Sequence, residues 1–190
     1  MAVALRLARP ADAPDVAAIY APFVTNAVVS FETTPPTPDE MARRIEATLR
    51  THPWLVADDG GRVVGYAYAT PYRSRAAYQW TCEVSVYLAA THRRQGVGRR
   101  LYGALFAVLR AQGFVTAHAG IALPNAASVG LHEALGFAPV GVYRGVGFKA
   151  GAWRDVGWWA LRLREDPDPQ PVRPLSADLV RDALAAPPSA

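Results

Sequence analysis

The chain reads as one α/β domain: seven strands and four helices alternating around a single sheet, followed by a proline-rich tail. Two observations predict this. Residues 80–109 read as a strand, a tight glycine turn and a long helix. Trp80, Cys82, Val84, Val86 and Leu88 alternate with Thr81, Glu83, Ser85 and Tyr87, the period of two that marks a half-buried strand. From the glycine turn within Thr91–Arg100 onward, Val97, Leu101, Leu105 and Val108 share one helix face. The second observation is size and composition. At 190 residues, 51% apolar and 19% charged, the chain is long enough to bury a core and is most simply one domain.

Val3–Leu7 alternates as a first strand, and a helix follows over about Ala11–Ala27, where Asp12 can cap, Pro14 fits the first turn and Pro22 should kink it. Pro35, Pro36 and Pro38 stiffen the next connection, after which Asp39 and Glu40 open a helix through Met41, Ile45 and Leu49 that ends before Pro53. Trp54–Ala57 and Arg62–Ala69 are strands joined by Asp58-Asp59-Gly60-Gly61, hairpin chemistry. Beyond the 80–109 unit come a strand over Phe114–Ile121, a helix over Asn125–Leu135 closed by Gly136 in a left-handed cap, and strands over Val140–Lys149 and Trp153–Leu163 joined around Gly151. The domain is expected to span residues 1–165. Residues 166–190 carry Pro167, Pro169, Pro171, Pro174, a short helix over Ser176–Ala185 and then Pro187-Pro188, an arm that packs either on the body or on a second subunit.

Several function classes fall away. No apolar run approaches the roughly 20 residues that span a bilayer, and no secretory leader is evident, so a cytoplasmic protein is expected. Cys82 is the only cysteine, and His52, His92 and His118 lack ligand spacing with acidic neighbours, so no metal is expected. The net charge of +4 raises nucleic acid as a partner, yet Arg93, Arg94, Arg99 and Arg100 all bracket the glycine turn, where a polyanionic small molecule accounts for them. A helix start leaves its first N–H groups unpaired at the positive end of the dipole, and Gly96 and Gly98 let an anion approach them. A nucleotide P-loop would need Gly-Lys followed by Ser or Thr, and a dinucleotide fingerprint would need glycine where Leu101 stands.

Arg93-x-x-Gly96-x-Gly98 after Val86-Tyr87-Leu88 resembles the acetyl-CoA pyrophosphate loop of the GNAT N-acetyltransferases. Within that family the chain is similar to the phosphinothricin and methionine-sulfoximine acetyltransferases, over about residues 3–165. The resemblance is carried by Tyr78–Glu83, Leu123–Ser128, Leu131–Phe137 and Gly147–Gly157. It implies the GNAT fold, a mixed, mostly antiparallel twisted sheet, and acetyl-CoA as co-substrate. Val86, Tyr87, Leu88, Arg94, Gln95, Gly96, Val97, Gly98, Arg99 and Asn125 would hold acetyl-CoA, with the oxyanion at backbone N–H near Leu88, where the family's strand splays from its neighbour. A small anionic amino acid would then meet Phe31, Arg73, Arg75, Tyr78 and Ser85, since arginine forks suit carboxylate and phosphinate.

Glu83 is the expected base. A glutamate inside an apolar strand is costly unless partnered or functional, and one with an ordinary pKa is a poor base for an ammonium, so burial must raise it or water must relay the proton. The other reading is a structural carboxylate bridging to Arg73 or Arg75. His132 shares a helix face with Asn125 and Ser128, seven and four residues back. It stands where most of the family has a tyrosine acid, and acts as acid, orienter or satisfied buried histidine. Cys82 belongs to the core face. The aromatics Phe148, Trp153, Trp158 and Trp159 exceed what one edge hairpin buries, and a homodimer is expected.

Overall fold

The computed structural model describes residues 3–165 and 170–185. Pro167, Pro169, Pro187 and Pro188 of the tail therefore lie outside the described residues. Seven strands, β1 (Ala4–Leu7), β2 (Trp54–Asp59), β3 (Arg62–Pro71), β4 (Thr81–Leu88), β5 (Thr116–Ala122), β6 (Ala138–Lys149) and β7 (Ala152–Arg162), form one sheet in the order β1-β2-β3-β4-β5-β7-β6. Neighbours are antiparallel except β4 and β5, which run parallel. The helices are α1 (Ala13–Thr25), α2 (Pro38–Leu49), α3 (Val97–Gln112), α4 (Ala126–Glu133) and α5 (Ala177–Ala185), the fifth coming from the tail.

Two hydrophobic layers cover the sheet, and the period-two pattern sorts residues between them. On one side Trp54, Val56, Tyr66 and Tyr87 pack under Val16, Ile19, Val24, Met41 and Ile45 of α1 and α2. On the other, Leu55, Ala57, Ala67, Cys82 and Val84 pack against Leu101, Leu105, Val108 and Leu109 of α3, all four fully buried. Each such side chain contributes about 1.5–3 kcal/mol on burial, so α3 is fixed firmly and its first turn is a rigid platform. Gly113, at φ +100, closes α3, and Gly60 and Gly61, at φ +64 and +94, make the β2–β3 hairpin.

Two details differ from the expectations, and one open alternative is resolved. The first helix starts at Ala13, and Asp12 makes no cap bond to it. The Asp12 carboxylate instead takes both Arg6 guanidinium nitrogens at 2.8 Å and the Arg9 N–H at 2.7 Å, because a part-buried arginine between Asp12 and Asp58 is the stronger partner. The second helix begins at Pro38, where the Thr37 hydroxyl accepts the Glu40 N–H at 3.2 Å. The tail packs on its own body. Leu179 and Val180 are buried against α3, the Arg173 N–H donates to the Gln112 carbonyl at 2.7 Å, and the Trp80 indole donates to the Gln170 carbonyl at 2.8 Å.

Candidate active site

The parallel β4–β5 ladder is short. Thr81, Cys82 and Glu83 pair with Thr116, Ala117 and His118, and there it stops. Ser85, Val86, Tyr87 and Leu88 keep their β3 partners Tyr68, Ala67, Tyr66 and Gly65, but the two strands part on the other side. The gap is a narrow slot of about 60 Å³ lined by Val84–Tyr87, Ala119–Ala122, Tyr102, Asn125, Ser128 and His132. One face of the sheet beside it opens into a cleft of about 450 Å³ whose walls include Tyr20, Phe31, Glu32, Tyr87, Val156 and Trp158. Trp158 reaches this wall because Gly120, opposite it on β5, has no Cβ; one would lie 3.2 Å from the indole.

At the end of the slot is the glycine turn. Arg94 at φ +59 and Gly96 at φ +77 rotate successive peptide groups, and the first helical bond of α3 runs from Arg100 N–H to Gly96 carbonyl. The N–H groups of Val97, Gly98 and Arg99 find no acceptor among the described residues, the condition for an anion site. The four arginines share out unevenly. Arg93 lies over the Phe23 ring at 5.1 Å, Arg99 donates to the Ala134 carbonyl at 3.0 Å, and Arg100 reaches the Val3 carbonyl at 2.7 Å.

Glu83 sits where the strands fork, last of the paired residues. Partial burial holds its pKa above the ordinary carboxylate value, opposed by the attraction of Arg73, whose Nη1 is 3.7 Å from Oε1. Arg73 also stacks on Tyr72 at 4.5 Å, and Tyr72 stacks on His118 at 4.6 Å. Burial, assisted by Arg73, keeps the His118 pKa below normal. Arg75 and Tyr78 do not line the cleft within one chain; with Arg73 they border a neighbouring cavity that includes His52, Phe114 and Val172.

Ahead of α4 the Asn125 side-chain oxygen caps the helix at Ser128 N–H, 3.1 Å away, and Asn125 is among the residues that line the slot. His132 is buried, and that burial lowers its pKa. Its Nδ1 donates to the Ser128 carbonyl at 2.7 Å, so Nε2 accepts the Tyr102 O–H at 3.0 Å. Tyr102 is a slot residue the sequence reading missed; its only signal is the i, i+4 spacing to Phe106, which also reads as core. Cys82 faces the opposite core, and burial raises its thiol pKa far above neutral. No metal-holding group of His, Cys, Asp and Glu occurs among the described residues.

A strand fork above a helix-start anion site, with a carboxylate at the fork, is the layout of an acetyltransferase. The profile described as "Acetyltransferase (GNAT) domain" matches residues 5–158, and the chain belongs to that family. The phosphinothricin N-acetyltransferase of Streptomyces viridochromogenes is 44% identical over 171 residues, 88% of this chain and 93% of that one. The L-methionine sulfoximine/L-methionine sulfone acetyltransferase of Pseudomonas paraeruginosa is 38% identical, covering 86% of this chain and 96% of its own. Among solved structures, a GNAT phosphinothricin acetyltransferase from Sinorhizobium meliloti in complex with AcCoA superposes with a TM-score of 0.84 at 37% identity, over 90% of this chain and 94% of that one.

Proposed function

We propose that the protein transfers acetyl from acetyl-CoA to the α-amine of a small anionic amino acid or analogue, such as phosphinothricin, methionine sulfoximine or methionine sulfone. The observation that carries this is Glu83 at the fork, a carboxylate of raised pKa at the last paired position of β4, one residue before the stretch that lines the slot. The residues fit the co-substrate. The unpaired β4 edge offers Val86–Leu88 backbone groups to the pantetheine amides, the bare N–H groups of Val97–Arg99 suit pyrophosphate, and Asn125 has an amide to spare. Acetyl-CoA supplies the acetyl group as a thioester.

The chain's own residues supply the rest. Glu83 takes the proton from the acceptor ammonium, directly or through water, which its raised pKa favours. The backbone N–H near Leu88 meets the developing negative oxygen. His132, neutral and bonded at both nitrogens, is assigned to orienting the Tyr102 hydroxyl in the slot. Arg73 contributes positive charge beside Glu83, Arg75 and Tyr78 face the neighbouring cavity and are not assigned to the acceptor within one chain, and Phe31 and Ser85 border the acceptor's path. Acetylation of protein amines would be the second reading, and the similarity to acetyltransferases of small amino-acid analogues favours a small molecule instead.

We also place the protein in the cytoplasm as a homodimer. Among the described residues no helix is long and apolar enough to cross a membrane. Edge strand β6 and its hairpin leave Val140, Tyr143, Val146, Phe148 and Trp153 about half exposed or more, an apolar face that a second copy would cover. Light scattering at micromolar concentration should give twice the chain mass, and a monomer would refute this. The function is tested by release of free CoA thiol over a panel of amino acids and analogues. Turnover should concentrate on acceptors with an acidic or strongly polar side group; equal rates with and without an amine would overturn the proposal.

A further inference from the structure

Phe31 roofs the acceptor cleft from the long connection between α1 and α2, and a loop of that kind needs a reason to stay in one place. The reason comes from the far end of the chain. Lys149, at the end of β6, directs its ammonium into the loop and donates to the carbonyls of Val24 at 2.7 Å, Ser30 at 2.6 Å and Glu32 at 2.8 Å. All three ammonium hydrogens are used, on backbone acceptors that straddle Phe31. Two residues earlier, Gly147 lies flat against the Phe31 ring. A Cβ there would overlap Cε2 and Cδ2 of the phenylalanine, so the ring occupies the space a side chain would need. The side chain of Glu32 is held separately, by bidentate bonds from Arg44 at 2.7 and 3.0 Å and by the Tyr20 hydroxyl at 2.9 Å.

We infer that Gly147 and Lys149 are positioning residues for the acceptor: the β6–β7 hairpin, which contributes neither residue to the cleft wall, sets where the Phe31 roof sits and therefore which amines bind productively. A lysine could merely glue two segments together, and a glycine could merely belong to a strand irregularity. Two features argue for more. The accepting carbonyls lie on either side of Phe31, the aromatic residue among the loop residues 29–32 that line the cleft, and β6 loses its register with β7 between Tyr143 and Gly147, so the strand re-enters pairing at the residue that receives the ring. Gly147 is also not a positive-φ position, so its conformation does not require glycine; the contact with Phe31 does.

The inference rests on the acceptor reading above, and its test separates the two. Wild-type protein is first assayed over the amine panel; absence of any turnover there refutes the functional reading and leaves the clamp to be judged by hydrogen exchange. Lys149→Met keeps the length and removes the donors, and should speed amide exchange across residues 26–32 selectively. On an active acceptor, Gly147→Ala should lower acceptor kcat/KM by roughly tenfold or more while acetyl-CoA KM stays within about twofold, because a displaced roof misorients the amine alone. Gly147→Ala is then repeated in a Phe31→Ala background. With the ring gone the added methyl has nothing to displace, so the second penalty should vanish. An equal penalty in both backgrounds, a matched loss of acetyl-CoA affinity, or Lys149→Met exchange unchanged at residues 26–32 would overturn the proposal. Should Lys149→Met fail to fold, the Gly147 cycle decides it alone.

Discussion

The Arg73–Glu83 pair makes a prediction whose sign and size follow from the geometry. A base must be unprotonated, so kcat/KM for the acceptor falls as pH drops through the pKa of Glu83. Burial raises that pKa and Arg73 pulls it back. Arg73→Gln removes only the opposing influence, so the acidic limb must move to higher pH. At 3.7 Å, with side chains 45% and 34% exposed, the pair interacts in a medium closer to water than to protein interior. Coulomb's law in water then gives on the order of 1 kcal/mol, and 1.36 kcal/mol moves a titration by one pH unit, so the limb should shift upward by about half a unit to one unit. The assay is kcat/KM against pH for both proteins at constant ionic strength. Weaker acceptor binding in the variant lowers the height of the profile without moving its limb, so the two effects separate. A limb that stays in place, or moves to lower pH, would refute Glu83 as the group that titrates.

Three further outcomes are expected. Glu83→Gln should reduce kcat by roughly 10²-fold with acetyl-CoA affinity unchanged. A raised folded-state pKa stabilises at low pH and loses that contribution as pH climbs through it, so the glutamine variant should melt no lower than wild type at pH 7, with any gain disappearing near pH 4; a Tm well below wild type at pH 7 would mark a structural glutamate. At a hundredfold excess over Kd, acetyl-CoA should stabilise the protein by about 2.7 kcal/mol, seen as a rise in Tm; Gly98→Leu should abolish that rise, since even a Cβ at Gly98 would already touch Leu88 and Leu131 at 3.4 and 3.6 Å. Leu179→Ala on α5 should cost about 2 kcal/mol by denaturant melt and leave both KM values unchanged, because α5 buttresses α3 and reaches neither slot nor cleft.

What the sequence discloses is what depends on local periodicity. The alternation through β4 and the 3.6-residue repeat of α3 place the glycine turn between them correctly, and the Asn125 cap is a matter of a few residues. Side-chain partners across the sheet are another matter. Asp12 looks like a helix cap until Arg6 is folded beside it, and His132 is seen with Asn125 and Ser128 but not with Tyr102, which arrives on a different helix. The direction of the 72–79 loop is also illegible. Its alternation of arginine and tyrosine marks it as functional in composition and offers Arg73 or Arg75 to Glu83, yet only the fold selects Arg73 and turns Arg75 and Tyr78 toward the His52 cavity. Lys149 leaves no trace at all, because backbone carbonyls are everywhere in a sequence and an ammonium can choose any of them.

The bonds from Lys149 to Val24, Ser30 and Glu32 span 125, 119 and 117 positions of the chain. Contacts so distant form late, since closing long loops costs entropy before the contact repays it. During synthesis the strands β1–β4 and helices α1–α3 can assemble as soon as they emerge, bringing the anion turn and Glu83 into place, while the roof over the acceptor waits for the last hairpin. A ribosome-bound chain that has not yet released β6 and β7 would accordingly own a nearly complete slot and no finished cleft. On the proposed clamp, selection of the amine would then be completed only when the β6–β7 hairpin docks on the loop.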